Sequence, residues 1–283
     1  MRKSFLCALL FSFLITSCHQ RKNECVSDNY QYDLFSDSLN RISDSILLAT
    51  EIYPIEDNLH LRADEVFDDF MFDFSRLKKV QLERTIFPLL SIHDNDTTWI
   101  TKEQWKNDVL FLNQDFYTVF FENEEQMELE KRTDLDKVDV ECIILDSMIQ
   151  HSYHFERVQK AWRLTKEHIQ SIKGMPLKDF FSFYNQFVSN DDFQMKSVMN
   201  PLRYVTADPE EESGYIEGTL DYEQWLMFKP QLPAGMITNI RYGQTYGRSK
   251  KMIMVKRGIA NGLMEVLTFH KNRGKWKLTK FEN

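Results

Sequence analysis

The sequence contains an internal repeat, and this repeat constrains the fold more than any other feature. Six identical residue pairs recur at a constant spacing of 113 residues (180 − 67, and likewise 202 − 89). The pairs are Phe67/Phe180, Phe70/Phe183, Phe74/Phe187, Gln81/Gln194, Pro88/Pro201 and Leu89/Leu202. Two later blocks, Glu103-Gln104-Trp105 and Trp162-Arg163-Leu164-Thr165-Lys166, recur in order as Glu223-Gln224-Trp225 and Trp276-Lys277-Leu278-Thr279-Lys280. Because internal repeats decide an architecture, the sequence predicts two tandem copies of one unit, residues 63–172 and 173–283.

Each copy is predicted to begin with helices and to continue with strands. Residues 64–79 and 177–189 carry Phe at spacings of three and four, which is typical of a helix with one buried face. A second short helix is expected to end at Pro88 and at Pro201. Alternating apolar residues then predict a hairpin, a short helix around each repeated tryptophan, and a meander of four antiparallel strands. Helices followed by an antiparallel sheet define an α+β fold.

The order of these elements, the Phe stripe and the Trp-x-Leu-Thr-Lys strand together resemble the nuclear-transport-factor-2-like (NTF2-like) fold. In this cystatin-like cone, a curved antiparallel sheet wraps a long helix. The whole chain also resembles a family of Gram-negative lipoproteins of unknown function with this fold. The resemblance implies tandem NTF2-like repeats, each with space for a ligand pocket between helix and sheet. Because single domains of this fold commonly pair through their sheets, we expect the two copies to form a pseudo-dimer within one chain.

The N-terminus predicts export and lipidation. Arg2 and Lys3 precede an apolar run at residues 5–15, which is shorter than the about 20 residues of a membrane-spanning helix. This pattern is typical of a signal peptide, expected here at residues 1–17. The adjoining Ile15-Thr16-Ser17-Cys18 resembles the lipobox of bacterial lipoproteins, whose Cys becomes the lipidated first residue; the alternative is an ordinary signal peptide with an incidental Cys. Because two or more acyl chains hold a protein stably at a membrane, lipidated Cys18 would be the anchor.

The residues after Cys18 indicate where the anchored protein is placed. By analogy with well-studied lipoproteins, an Asp directly after the Cys would retain the protein in the inner membrane, but His19 and Gln20 follow instead. The outer membrane is therefore expected. Residues 19–23 also lack the acidic cluster that some families use for display on the cell surface, which favours the periplasmic face. Residues 18–62 are predicted to form the lipidated N-terminus and a polar tether.

Charge and cysteine content exclude some classes of partner. The formal net charge of −8 repels phosphate backbones, which require neutralising cations, so nucleic acid is not expected as a partner. Of the four cysteines, Cys7 leaves with the signal peptide, and Cys142 is expected on the buried face of a strand. A Cys25–Cys142 disulfide is possible in an oxidising periplasm, and the sequence does not decide whether it forms.

Strong catalytic and metal-binding signatures are missing from the sequence. There is no Gly-rich phosphate loop, no His-Glu-x-x-His and no Cys-x-x-Cys, so no cofactor or metal is expected. Aligning the copies at the final spacing of 114 (276 − 162) places His151 on Glu265, and each interrupts an apolar strand face. We therefore predict that His151, Tyr153 and Glu265 are the polar groups of a pocket; the alternative is a strand end where they reach water. His154 should point to the face opposite His151.

A basic stretch between residues 241 and 257, which includes Arg248 and Lys250, has two interpretations. Its lysines could discourage edge-to-edge strand pairing, or the stretch could form a docking patch for an acidic glycan or an acidic protein surface. Taken together, the sequence predicts a membrane-anchored envelope lipoprotein that binds a small ligand or an envelope protein without catalysis. The alternatives are a small-molecule hydrolase or isomerase that uses a pocket between helix and sheet, and a purely structural or assembly lipoprotein.

Overall fold

The repeated phenylalanines form the two buried helix faces that their spacing predicts. In the computed structural model, α1 (Phe67–Arg76) buries Phe67, Phe70 and Phe74. The structure describes residues 66–106, 110, 115–211, 214–259 and 261–283. Further helices are α2 (Lys78–Arg84), α3 (Glu124–Met127), α4 (Lys178–Ser189), α5 (Asp191–Ser197) and α6 (Tyr222–Phe228), with 3₁₀ turns at Glu128–Lys131 and Ile172–Gly174. Helix α4 repeats the stripe of α1, because it buries Phe180, Phe183 and Phe187.

Among the described residues, twelve strands form one mixed sheet. The strands of the first half are β1 (Thr85–His93), β2 (Asp96–Ile100), β3 (Phe116–Phe121), β4 (Lys137–Ile144), β5 (Ile149–Val158) and β6 (Ala161–Ser171). Those of the second half are β7 (Val198–Ala207), β8 (Tyr215–Leu220), β9 (Met236–Arg241), β10 (Lys251–Gly258), β11 (Met264–Asn272) and β12 (Lys275–Glu282). The order across the sheet is β2-β1-β6-β5-β4-β9-β3-β10-β11-β12-β7-β8. If each strand of the first half is exchanged with its counterpart six numbers later (β1 with β7, β2 with β8, and so on), the result is the same order read from the opposite edge of the sheet.

The two central strands are exchanged between the halves. Strand β3 pairs with β10, and β9 pairs with β4, both antiparallel. The exchanged strands meet in parallel at the centre, where Thr118 is opposite Asn239. The predicted four-stranded meander within each copy is therefore wrong for its first strand, because β3 does not pair with β4 and β9 does not pair with β10. In the described part of the chain, the meanders within one half are β4-β5-β6 and β10-β11-β12.

The two halves have separate cores on opposite faces of the sheet. Along β3, Val119 and Phe121 pack in the core that contains α1, whereas Phe120 packs in the core that contains α4. Successive side chains of a strand point to opposite faces, so the two cores lie on opposite sides of the central strands. The same alternation holds along β10, where Ile253 belongs to the first core and Met254 to the second. The central strands are consequently buried on both faces.

Two local predictions are wrong. The second helix of each half ends at Arg84 or Ser197, and the prolines lie inside β1 and β7 instead of ending a helix. Both strands skip residues at this point in their pairing with β6 and β12, and such an irregularity accommodates a residue that has no backbone N–H. The predicted short helix is present as α6, but the described residues before Trp105 form a turn.

Several predictions concern residues that the structure leaves undescribed. The signal peptide at residues 1–17, Cys18, the tether at residues 18–62 and Cys25 all lie outside the described ranges. Among the residues whose positions are given, no helix has both the length and the apolar character needed to span a membrane.

Candidate functional site

A group of hydrogen-bonded polar side chains lies on the face of the sheet that carries the core of the first half. Ser91 Oγ donates to Glu167 Oε1 over 2.7 Å, and Glu167 Oε2 lies 3.2 Å from His151 Nε2. The other imidazole nitrogen, Nδ1, lies 3.1 Å from Tyr153 Oη. Strands β1, β6 and β5 position these groups, because Ser91, Glu167 and Tyr153 are direct neighbours in the strand register. We call these four residues the interior network.

The interior network is shielded from water and contains one ionised acid. The side chains of His151 and Glu167 are 12% and 10% exposed. Burial alone would raise the pKa of Glu167, but the hydrogen bonds from His151 and Ser91 outweigh burial and hold its pKa below the ordinary value. An ionised Glu167 orients the imidazole of His151 toward the Tyr153 hydroxyl. A carboxylate, an imidazole and a hydroxyl in this order can transfer a proton at the hydroxyl oxygen.

The second half places Glu265 at the position of His151 but does not reproduce the network. Glu265 is opposite Lys256, just as His151 is opposite Cys142. Lys256 Nζ lies 2.7 Å from Glu265 Oε2 and 4.2 Å from the centre of the Phe116 ring. The structure thus brings His151 and Tyr153 together, and it holds Glu265 in a separate ion pair in the other half.

The other members of the interior network have apolar or aromatic counterparts in the second half. The register row Ser91–Glu167–Tyr153 of the first half corresponds to the row Tyr204–Phe281–Leu267 in the second half. Phe281 and Leu267 are fully buried, and the ring of Trp225 packs 5.7 Å from that of Phe281. Because the second half folds with these side chains, the polar groups of the first half are not a requirement of the fold.

A second polar cluster lies between the exchanged strand β9 and its partner β4. Asn239 Nδ2 donates to Glu141 Oε2 over 2.8 Å, and Arg241 Nε lies 3.4 Å from Glu141 Oε1. Arg241 Nε also donates to Asp139 Oδ2 over 2.9 Å, and the other oxygen of Asp139 bonds His154 Nδ1. We call these five residues the seam cluster. His154 contacts Asp139 while His151 contacts Glu167, so the predicted opposite orientation of the two histidines is confirmed.

Burial affects the two acids of the seam cluster differently. Burial raises the pKa of Glu141, and Arg241 and Asn239 offset only part of this effect. Burial would also raise the pKa of Asp139, but the bonds from His154 and Arg241 reverse the direction and lower it. Beside Glu141 and Tyr246 lies a cavity of about 20 Å³, which is large enough for one water molecule.

An open groove of about 620 Å³ lies at the start of α4. It lies between the first turn of α4, the connection of residues 242–250 after β9, and the turn between β11 and β12. Its charged lining residues are Lys178, Arg248, Lys250, Lys271 and Arg273, with the acids Glu122 and Asp179. Phe180, Met252 and Trp276 contribute an apolar part of the lining. We call this feature the basic groove.

Side-chain hydrogen bonds fix the loop that carries Arg248 and Lys250. Gln244 Oε1 accepts from the backbone N–H of Tyr242 over 2.7 Å, and its amide nitrogen donates to the carbonyls of Phe120 and Ile240. The hydroxyl of Tyr246 donates to the carbonyl of Phe120 over 3.2 Å, and Gly247 N–H donates to Glu122 Oε1 over 2.9 Å. On the opposite wall, Arg273 and Gly274 both have positive φ, as a type I′ turn requires.

The cations of the basic groove are only partly neutralised. Lys271 bonds Asp179, which also accepts from Trp276 Nε1 over 3.1 Å. Within the part of the chain that the structure describes, Arg248, Lys250 and Arg273 form no ion pair, and all three are exposed. Five cations against two carboxylates give the lining a net charge of +3, in a chain whose net charge is −8. No side chain caps α4, so its first turn adds backbone N–H groups that favour an anion.

The comparisons with known proteins agree with this architecture. Residues 48–283 match the model of a domain of unknown function, DUF4348. The chain belongs to the DUF4348 family. An NTF2-like protein from Bacteroides fragilis is similar in crystal structure to this DUF4348 protein, with 37% sequence identity and a TM-score of 0.75. The similarity covers 78% of this chain and 97% of the other, and the α+β NTF2-like fold is therefore confirmed. A search of curated proteins finds no match.

Sequence reasoning missed Glu167 in this DUF4348 protein for a local reason. Alternation from Trp162 and Leu164 would place Lys166 on the core side of β6. A bulge shifts the pairing, because Phe155 is opposite Leu164 while His154 is opposite Lys166. The extra residue reverses the alternation, so that Glu167 and not Lys166 faces the core. No turn residue or composition signal in this segment reveals the bulge.

Metal binding has no support in the described part of the chain. Within those residues, no group of three or more His, Cys, Asp and Glu side chains is arranged to hold a metal ion. In these clusters His151 bonds Glu167 and Tyr153, His154 bonds Asp139, and the acids otherwise bond Ser, Asn and Arg side chains.

Proposed function

We propose that this DUF4348 protein is a lipid-anchored, non-catalytic binding module of the cell envelope that binds an anionic ligand in its basic groove. The observation that carries the proposal is the net positive lining of a groove of about 620 Å³ in a net negative protein. This volume lies within the about 300–1,000 Å³ of typical ligand sites. Cations beside an apolar lining suit a ligand with both rings and acidic groups, such as an acidic saccharide.

The pseudo-equivalent surface of the first half supports a specific role for these cations. The connection after β3 spans residues 122–136, and the connection after β9 spans residues 242–250. Residues 122–136 between β3 and β4 carry seven acids and two cations, a net charge of −5, whereas the connection after β9 contains Arg248, Lys250 and no acid. Since two related connections carry opposite charges, the fold itself does not require either charge. The positive charge is therefore available for recognition of an anion.

We further propose that the halves, residues 63–172 and 173–283, are tandem copies of one NTF2-like unit that pair as a pseudo-dimer. The proposal rests on the repeated sequence blocks and on the six-strand shift that relates the sheet edges. The signal peptide at residues 1–17 and a lipid on Cys18 would place this pair at the outer membrane. Residues 18–62 would tether it on the periplasmic face, where it meets a small ligand or another envelope protein.

Reversal of charge in the basic groove tests the ligand proposal. A variant with Arg248→Glu and Lys250→Glu changes the groove charge from +3 to −1, since each reversal subtracts two. We expect its affinity for oligogalacturonate, measured by titration calorimetry at low salt, to fall at least about tenfold, because like charges then repel. The control variant, Lys102→Glu with Lys106→Glu, has the same net charge but alters an exposed turn outside the groove.

Both results of this titration are informative. Weaker binding in the groove variant alone, together with weaker binding of the unaltered protein at higher salt, supports a charge-selective groove. Equal affinities of the groove variant and the control variant would contradict the proposal. Binding of neutral and acidic oligosaccharides with equal affinity would also contradict it, because the cations would then contribute nothing.

One observation favours a second function, that of a hydrolase or isomerase acting in the first half. The ionised Glu167, His151 and Tyr153 form a sequence of groups able to transfer a proton. A thermal-shift screen of small molecules separates the two functions, since a bound ligand raises the melting temperature. A ligand whose stabilising effect disappears in His151→Phe but persists in Arg248→Glu would indicate the interior site. The reverse pattern would indicate the basic groove.

A further inference from the structure

Two pairings of the central strands are conceivable, one within each half and one exchanged between the halves. Strands β3 and β9 occupy corresponding places in the two halves, and so do their partners β10 and β4. Neighbouring strands in sequence usually pair with each other, which would join β3 to β4 and β9 to β10. The chain instead joins β9 to β4 and β3 to β10. Some feature of the sequence must favour the exchanged pairing over the unexchanged one.

The bonds that Arg241 and Asn239 make in the seam cluster exist only in the exchanged pairing, whereas the bond between Asp139 and His154 lies within the first half. Asp139 and Glu141 belong to β4, and their partners in the register are Arg241 and Asn239 of β9. Asn239 is fully buried, and the Glu141 side chain is 2% exposed. Glu141, Asn239 and Arg241 therefore depend on partners from the other half to satisfy their hydrogen bonds or charge, whereas Asp139 also bonds His154 of its own half.

The corresponding seam between β3 and β10 contains no polar group at these positions. Phe121 is opposite Ile253, and Val119 is opposite Val255. The two seams are aligned by placing the pair Thr118–Lys256 on the pair Thr238–Cys142. Phe121–Ile253 then corresponds to Arg241–Asp139, and Val119–Val255 corresponds to Asn239–Glu141. All four apolar side chains are buried. One seam is therefore polar and the other apolar, at matching positions.

This difference makes the unexchanged pairing unfavourable on both sides. With β3 beside β4, Asp139 and Glu141 would face Phe121 and Val119. With β9 beside β10, Arg241 and Asn239 would face Ile253 and Val255. Glu141 and Asn239 would then be buried, and Arg241 and Asp139 partly buried, without the partners they have across the native β4–β9 seam, which is strongly unfavourable.

We infer that the seam cluster is a recognition device that selects β9 as the partner of β4 and thereby fixes the strand exchange within one chain. Buried ion pairs contribute little net stability compared with apolar residues of similar size, but they penalise wrong pairings. The four apolar residues at the matching positions of the β3–β10 seam show that charges are unnecessary at those positions for a stable seam. The inference concerns pairing alone and does not depend on any ligand of the basic groove.

Cys142 provides a direct reporter of the pairing. Its register partner in the native sheet is Thr238 of β9. In an unexchanged sheet its partner would be Thr118, because Lys256, the counterpart of Cys142, is opposite Thr118. Directly opposed residues of antiparallel strands have Cα atoms about 4.5–5.5 Å apart, within the range for a disulfide. The variants Thr238→Cys and Thr118→Cys thus report the exchanged and unexchanged pairings respectively.

The experiment compares disulfides after refolding of the full chain from urea, with peptide mapping by mass spectrometry. In the otherwise unaltered sequence, Thr238→Cys should crosslink to Cys142, and Thr118→Cys should not. The symmetrised variant carries the apolar counterparts: Asp139→Ile, Glu141→Val, Asn239→Val and Arg241→Phe. In that background the Thr118→Cys crosslink to Cys142 should rise at least roughly tenfold, because the energetic difference between pairings is reduced. An unchanged absence of this crosslink in a cooperatively folded symmetrised variant overturns the inference.

A milder variant keeps the test decisive if the fourfold change prevents folding. Glu141→Val with Asn239→Val removes the most buried pair and leaves the bond between Asp139 and Arg241 in place. The Thr118→Cys crosslink should again exceed its level in the unaltered sequence. A purely stabilising role for the cluster would instead lower the melting temperature while only Thr238→Cys formed the crosslink, and that result also overturns the inference.

Discussion

Removal of Arg241 from the seam cluster gives the most informative stability prediction. Arg241 contacts both Asp139 and Glu141, whose side chains are 19% and 2% exposed. The variant Arg241→Met keeps much of the side-chain volume but leaves two acids without their shared counter-charge. Breaking a buried ion pair in this way costs about 3–5 kcal/mol. Because Arg241 is itself 28% exposed and Asp139 keeps its bond with His154, we expect the lower end, about 3 kcal/mol.

Chemical denaturation measures this loss directly. At 2–4 °C per kcal/mol for a domain of this size, about 3 kcal/mol corresponds to a melting temperature lower by about 6–12 °C. Urea unfolding should show a lower midpoint with an unchanged slope, because the surface exposed on unfolding stays the same. The symmetrised variant described above should regain the lost stability, since a matched apolar seam avoids the unpaired charges.

The control for Arg241→Met is an exposed ion pair elsewhere in the sheet. Arg203 and Glu217 bond over 2.9 Å across β7 and β8, with side chains 55% and 61% exposed. Arg203→Met should therefore cost less than about 1 kcal/mol. Equal losses for Arg241→Met and Arg203→Met would refute the reasoning, because burial of the acids would then have no energetic consequence.

The remaining predictions concern pH, packing and anchoring. The pKa of Glu167 is lower in the folded state than in the unfolded state. The stabilisation from ionised Glu167 is therefore complete above the unfolded-state pKa and disappears as the pH falls through the folded-state pKa. Between pH 7 and pH 3, the urea midpoint should thus decline less for Glu167→Gln than for the unaltered protein. Phe67→Ala and Phe180→Ala should each cost about 3–5 kcal/mol in urea unfolding, against less than about 0.5 kcal/mol for exposed Trp99→Ala. Cys18→Ala should move the protein from the membrane fraction to the soluble fraction. Parallel pH profiles, a tolerated Phe→Ala change, or a Cys18→Ala protein still in the membrane pellet would contradict the respective prediction.

Local patterns predicted most elements of the fold. The Phe spacing located α1 and α4, because a helix with one buried face repeats its apolar residues every three or four positions. Alternation predicted the four later strands of each half, which are present as β3 to β6 and β9 to β12. The exchange of β3 and β9 was not predicted, since a strand buried on both faces has the same apolar sequence whichever strand lies beside it.

The functional residues were harder to predict for the same physical reason. His151 interrupts an apolar strand face and Tyr153 continues it, so the sequence pattern alone predicted both as polar groups of a pocket. Their partners Ser91 and Glu167 depend on the parallel pairing of β1 with β6 and on a bulge, which are properties of the folded sheet. The basic stretch was visible as charge, but its arrangement around the start of α4 requires three segments that are far apart in the sequence.

Native-state hydrogen exchange tests most directly whether the two halves are interlocked by their exchanged strands. Because β9 of the second half pairs with β4, and β3 of the first half pairs with β10, neither half can unfold without disrupting the other. The most protected amides of β5 and β11 should therefore exchange with the same free energy, through one global opening of the sheet. Exchange of β11 through a separate, lower-energy opening that leaves β5 protected would contradict the interlocked sheet.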